Sequence, residues 1–216
     1  MRKILKTMLL ATAITFSGAA ITLPAHAEPQ LPELIHLANE SSAQALLKMV
    51  VQLPMAENVQ RTVLEKPDYI AYVFYDPSCP YSAKQYKEME STAKAYNVQF
   101  NWLPAAALPR NASRVEPVVY DTIRSIRSSN EEGVAAVRNS MDVSRSEMVE
   151  NGARITGLTP TDHAYGKLPL DYLSWLDDLT GNGISVPTTF VKNTKTGAAS
   201  YGTGYLETSE FSSLLP

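Results

Sequence analysis

Cysteine is nearly absent from this chain: Cys79 is the only one among 216 residues. An internal disulfide is therefore excluded, and the core must hold without a covalent staple. Metal ligands are scarce as well. His36 and His163 are far apart, lack ligand spacing and have one cysteine to share, so neither a metal site nor a cofactor is expected. Excess basic charge is also lacking, with 19 Lys and Arg against 22 Asp and Glu. Without a basic block or a basic-aromatic stripe, nucleic acid and an anionic membrane surface are poor partners. No internal repeat or low-complexity tract interrupts a composition that is 44% hydrophobic and 19% charged, which suits a globular protein.

One apolar run does stand out, at the start. Met1-Arg2-Lys3 opens a basic stretch ending at Lys6, Met8 to Leu23 is apolar, and Pro24-Ala25-His26-Ala27 supplies small residues at signal-peptidase spacing. Residues 1–27 read as a signal peptide cleaved after Ala27, which implies export to the periplasm. An uncut anchor is the other reading, but the run is shorter than the ~20 residues a span prefers and contains Thr, Ser and Gly. No later run is long and apolar enough to span, so no membrane association is expected after cleavage. The remaining ~190 residues fit one domain.

Residues 28–66 read as a helical segment. Ala43, Leu46, Leu47 and Val50 recur at helical spacing within Leu31 to Val59, and Pro54 ends the run. Tyr69 to Tyr75 is a continuous apolar stretch, too short for a typical helix, and reads as a strand buried on both faces. Asp76-Pro77-Ser78 breaks it. Ala83, Tyr86, Met89, Ala93 and Tyr96 then mark a helix, and Val98 to Trp102 a second strand, parallel to the first by the right-handed crossover rule. Residues 104–180 look mostly helical, with capping-box spacings at Ser129/Glu132 and Ser144/Glu147, a stop at Gly152, and a leucine-rich helix that Gly181 terminates. Thr188 to Val191 and Ala198 to Tyr201 read as a β-hairpin, and Thr208 as the cap of a closing helix through Phe211 and Leu215.

Cys79 thus heads a helix at the end of a buried strand. The first N–H groups of a helix lack intrahelical partners and its dipole is positive there, so both favour thiolate over thiol. Pro80 suits the first turn. Ser82, three residues on, shares the helix face and can donate a hydrogen bond to the sulfur, but it cannot form a disulfide; a merely tolerated serine is the plain alternative. For Cys79 the plain alternative is an inert buried thiol.

Val73-Phe-Tyr-Asp-Pro-Ser-Cys-Pro-Tyr-Ser-Ala-Lys84 closely resembles the active-site segment of periplasmic thiol:disulfide interchange proteins of the DsbC/DsbG type, which reads Asp-Pro-x-Cys-Pro-Tyr-Cys. Ser185-Val186-Pro187-Thr188-Thr-Phe190, about 105 residues downstream, resembles that superfamily's cis-proline loop, and Gly204-Tyr205 its ending. The resemblance implies an α/β thioredoxin-like fold, a central mixed sheet flanked by helices, over residues 67–216 with a helical insertion at about 104–180. It implies Cys79 as nucleophile with Ser82 beside it. It also implies an exposed sulfur facing Pro187, and a substrate groove formed by Pro80, Tyr81, Val186, Pro187 and Thr188. Without the resemblance, a trans Pro187 in a plain turn is the default. Two departures stand out: Ser82 replaces the family's resolving cysteine, and the region between the signal and the first strand reads as short and helical where that family carries a strand-rich dimerisation domain. With helices inserted between its two halves, the layout is also similar to DsbA-like proteins.

A lone thiolate can attack a disulfide to give a mixed disulfide but cannot store two oxidising equivalents, which excludes net oxidation by the usual route. The expected function is single-cysteine isomerisation or reduction of exported proteins, with a small thiol or a membrane reductase as further partner. A non-catalytic chaperone using the peptide groove is the alternative. A peroxide-reactive thiol is a third reading.

Overall fold

Seven residues, Tyr69-Ile-Ala-Tyr-Val-Phe-Tyr75, form the middle of the sheet, because their alternate side chains find two separate apolar cores. The computed structural model describes residues 42–58, 66–108, 112–181 and 183–216. In chain order its elements are α1 (Ser42–Val50), β1 (Ala56–Asn58), β2 (Tyr69–Tyr75), α2 (Pro80–Tyr96), β3 (Val98–Pro104), α3 (Ala112–Ser128), α4 (Asn130–Asp142), α5 (Arg145–Arg154), α6 (Pro160–Thr180), β4 (Thr188–Asn193) and β5 (Ala199–Thr203). A 3₁₀ turn, Phe211–Leu214, follows.

The strands order as β1-β3-β2-β4-β5. β2 and β3 are parallel, in register from Tyr69 opposite Val98 to Tyr75 opposite Pro104, and α2 is their crossover. The other three pairings are antiparallel, so the sheet is mixed. Ala71, Val73 and Tyr75 face one core with Phe100 and Trp102 of β3 and Met89 and Ala93 of α2. Val119 and Ile123 of α3 and Phe211 extend that core. Tyr72 and Phe74 face the other, with Leu46 and Val50 of α1, Tyr172 and Leu176 of α6, and Phe190 of β4. There Phe74 stacks on Tyr172 at 5.1 Å between ring centroids, and the Tyr172 hydroxyl donates to the Leu46 carbonyl at 3.0 Å. A strand buried on both faces fixes its register, since a one-residue slip would exchange the two cores.

Four helices, α3 to α6, fill the stretch between β3 and β4. Ser144 and Glu147 make the full reciprocal capping box, and Ser129 accepts from the Glu132 N–H. Gly181 ends α6 in the left-handed region, at φ 68°. Gly152 is not a stop. It lies buried within α5, where a Cβ would sit 2.9 Å from the Arg114 carbonyl, so its role is close packing on α3.

The helical reading of residues 28–66 needs correction. Among the described residues of that segment the helix covers Ser42–Val50, and Ala56–Asn58 forms an edge strand antiparallel to β3. Ala-Glu-Asn has little strand propensity of its own. It is held by the β3 edge and by Asn130, whose side chain bonds both the Glu57 N–H and the Glu57 carbonyl. Residues 28–41 and 59–65 lie outside the described residues, as does the signal segment. The closing helix shrinks to one 3₁₀ turn. Thr208 does not cap it; its hydroxyl pairs with Thr92 and donates to Glu88 instead.

Candidate active site

β2 ends at Tyr75 and α2 begins at Pro80, and the four residues between them hold the thiol. Asp76 organises this turn. Its Oδ1 accepts from the Ser78 N–H (2.7 Å) and Ser78 hydroxyl (2.6 Å), and its Oδ2 accepts from the Leu108 N–H (2.9 Å). Its carbonyl accepts the Cys79 N–H at 2.9 Å. Cys79 is the N-cap residue of α2, with extended φ and ψ (−86°, 118°), and Pro80 occupies the first helical position. Pro fits because the first turn uses no N–H from that residue.

The second half of the site comes from the loop before β4. Val186–Pro187 is a cis peptide. The Cys79 Sγ–H donates to the Val186 carbonyl across 3.4 Å. Gly204, at φ 92°, donates its N–H to the Pro187 carbonyl at 2.7 Å, and the Thr188 hydroxyl donates to Ser185 O at 2.7 Å. So the loop is tied both to itself and to the last strand's end.

The sequence-derived residues fall into two groups. Cys79, Val186 and Pro187 converge, and Pro80 and Tyr81 border them, Tyr81 with 60% of its surface exposed. Thr188 is buried in β4, its hydroxyl already used. Two expectations are corrected. Cys79 is not an exposed sulfur: it is 5% exposed and belongs to the core that contains Phe74, Tyr172 and Phe190. Ser82 does not hydrogen-bond the sulfur. It is fully buried, and its Oγ accepts the Asp76 N–H at 3.3 Å, because the end of β2 curls over the first turn of α2. His163 stands apart with its ring edge-on to Tyr120, and His36 lies outside the described residues.

Sequence reasoning passed over Asp76, treating it only as a strand breaker, although Asp before Pro-Ser is a side-chain-to-backbone turn signal. It also passed over Gln85, which is 1% exposed on α2 and accepts the Leu206 N–H through Oε1. Lys84 beside it lies over the Tyr205 ring, 4.2 Å from the centroid. Burial drives the pKa values of Tyr75 and Tyr172 upward. Among the described residues no helix is long and apolar enough to cross a membrane.

No protein-family model and no curated protein matches the sequence. Solved structures do. The catalytic domain of Proteus mirabilis ScsC superposes with a TM-score of 0.55 at 14% identity, covering 80% of this chain and 94% of that one. A periplasmic thioredoxin-like protein from Salmonella enterica serovar Typhimurium gives 0.53 at 13% identity, with 86% and 96% covered. A cysteine-to-alanine variant of alpha-DsbA1 from Wolbachia pipientis gives 0.51 at 12%, with 79% and 92% covered. The fold is therefore thioredoxin-like, a mixed sheet flanked by helices with a helical insertion before the proline loop.

Proposed function

We propose that this protein is a periplasmic thiol–disulfide exchange protein working through Cys79 alone, as an isomerase or reductase of exported proteins, with an active-site segment of the DsbC/DsbG type. One observation carries the reading: the only sulfur able to react stands at the head of α2, 3.4 Å from Val186 O and beside Pro187. The likeness to periplasmic thioredoxin-like structures and the signal-like residues 1–27 support export, with cleavage after Ala27.

In the proposed reaction the Cys79 thiolate attacks one sulfur of a substrate disulfide. The Cys79–substrate S–S bond forms as the old S–S bond breaks, and the departing sulfur leaves as thiolate and takes up a proton. Ser82 cannot close an internal bond, so release needs a second attack. When a different thiol of the substrate attacks the substrate sulfur of the mixed disulfide, a new substrate S–S bond forms, Cys79 departs as thiolate, and the net result is isomerisation. When a small external thiol or a membrane reductase attacks Cys79 Sγ, the substrate leaves with both sulfurs as thiols. A second thiol of that partner then frees Cys79 as the partner is oxidised to its disulfide. Pro80, Tyr81, Val186 and Pro187 border the place where the substrate chain would lie, and Thr188 anchors that loop. Since Cys79 is 5% exposed, substrate must replace the sulfur's contact with Val186.

That same burial favours a second reading, a non-catalytic chaperone that holds chains in the groove and uses the sulfur little. Refolding of scrambled ribonuclease by wild type and by Cys79→Ala separates the two. Exchange predicts that the alanine variant loses the acceleration; equal recovery of active ribonuclease by both proteins leaves only the chaperone.

A further inference from the structure

Asp76 has every polar group engaged, and its partners lie on three different parts of the chain. Its N–H donates to Ser82 Oγ in the first turn of α2, and its carbonyl accepts from Cys79 N. Its carboxyl oxygens accept from Ser78 and, across the fold, from Leu108 N at the end of the segment that leaves β3 for the helical insertion. A second bond, Ala105 N–H to Tyr75 O at 2.8 Å, closes the same junction. The carboxyl is 0% exposed, so water does not substitute for a missing partner. Leaving one of these donors unmet inside the protein is costly, which gives the arrangement its rigidity.

From this we infer that Asp76 is a positioning residue for thiol–disulfide exchange: it fixes Cys79 Sγ against the Val186 loop and ties that placement to the start of the insertion. The inference rests on the exchange reading. Attack on a disulfide needs the sulfur aligned with the S–S axis while the substrate's peptide groups sit in the groove, and misplacement by a fraction of a bond length lowers the rate steeply. Alkylation by a small reagent needs only access. Loosening the turn should therefore slow the first and spare the second, whereas a purely structural role would move neither or move both together.

Asp76→Asn is nearly isosteric and sets an amide N–H against either Leu108 N–H or the Ser78 donors. Two second-order rates are compared with wild type. One is thiol release from uncharged diacetylcystine diamide, in which the Cys79 mixed disulfide forms and one half of the reagent departs as thiol. The other is alkylation by iodoacetamide. The expected result is exchange slowed about tenfold with alkylation unchanged or faster. Equal rates in both reactions, a parallel fall in both, or faster exchange overturns the assignment. Ser78→Ala, which removes one donor and keeps the chain's shape, should give the same split at smaller size and decides the matter if the asparagine variant does not fold. A wild type inert toward the disulfide overturns the exchange reading and this one with it; a reactive wild type with an unsplit variant overturns only the role of Asp76.

Discussion

Cys79 and Val186 are 107 residues apart in the chain, yet the sulfur of one donates to the carbonyl oxygen of the other at 3.4 Å. The contact exists because β2 and β4 are neighbours: Phe74 pairs with Thr188, so the residues just beyond the two strand ends meet at one end of the sheet. A sulfur engaged in this way and 5% exposed is protected from incidental reaction and is released only when something competes for Val186 O. The expected consequence is slow alkylation of the free protein by iodoacetamide, faster once denaturant unfolds the chain. Alkylation as fast in the native as in the unfolded protein would show that the contact does not shield the thiol.

Ser82→Cys should convert the site to a two-thiol one. Position 82 lies one turn after Cys79 on the same helix face and is fully buried beside it. The variant gives up the Asp76 N–H contact to Ser82 Oγ, at a cost of about 1 kcal/mol. In return a mixed disulfide has an internal route to release. Wild type carrying a client through a mixed disulfide, the client having no other cysteine, should retain that client until an external thiol is added, and the variant should shed it unaided. Intact-mass analysis of the oxidised variant should show the loss of two hydrogens. Persistent client attachment to Ser82→Cys would place the two side chains out of reach.

What could be read in advance followed local signals that tertiary structure did not override. The apolar run of β2, the helix behind Cys79 and the Gly181 terminus all have strong short-range causes, and the structure has each of them. The pairing of Cys79 with Val186 came through resemblance, since no periodicity links residues so far apart. The parts that were not legible depend on partners remote in sequence. β1 exists through β3 and Asn130, the Ser82 hydroxyl is claimed by a strand end, and Gly152 is small because α3 lies against it. Burial of the sulfur is of the same kind, because the second core around it draws on α1, α6 and β4.

Asp162 gives the insertion an acid-sensitive element. Burial raises its pKa and is the largest single effect, but the hydrogen bonds from Thr159 and the charges of Arg127 and Arg124 together outweigh it, leaving the carboxyl below its ordinary 3.8. Thr159 donates through both N–H and hydroxyl, and Arg127 lies 3.3 Å away. With the folded value depressed, the stabilisation is fully present above the unfolded value of about 4 and is lost as pH falls through the lower folded value. Asp162→Asn should cost about 1 kcal/mol near neutrality. In urea titrations the gap from wild type should narrow below about pH 4. A gap that stays constant down to pH 3 would remove Asp162 from the acid response.

Gly166 lets α6 pack against the Tyr120 ring of α3. A Cβ at that position would run into the Tyr120 ring, which is held by burial and by its T-shaped contact with His163. Gly166→Ala should therefore destabilise the fold by about 1–3 kcal/mol through overpacking, despite alanine's better helix propensity. Adding Tyr120→Val should recover part of the loss, a coupling that a double-mutant cycle measures. Strict additivity of the two changes would show that α6 shifts to make room.

Asn130 closes the outer edge of the sheet. Its Oδ1 accepts the Glu57 N–H at 2.8 Å and its Nδ2 donates to the Glu57 carbonyl at 2.9 Å, so one side chain satisfies the outward-facing backbone as a neighbouring strand would. An unpaired edge is a template for association between chains. Because Glu57 is exposed, water replaces much of what Asn130→Ala removes, and the loss should be about 0.5–1.5 kcal/mol. The more telling effect is local. Amide exchange at Glu57 should accelerate while that of β2 stays as in wild type, and the variant should self-associate at lower concentration. Asn130→Asp keeps the acceptor but loses the donor, so it should protect the Glu57 amide and leave its carbonyl open. If Glu57 exchanged at the same rate in all three proteins, β1 would owe its place to β3 alone.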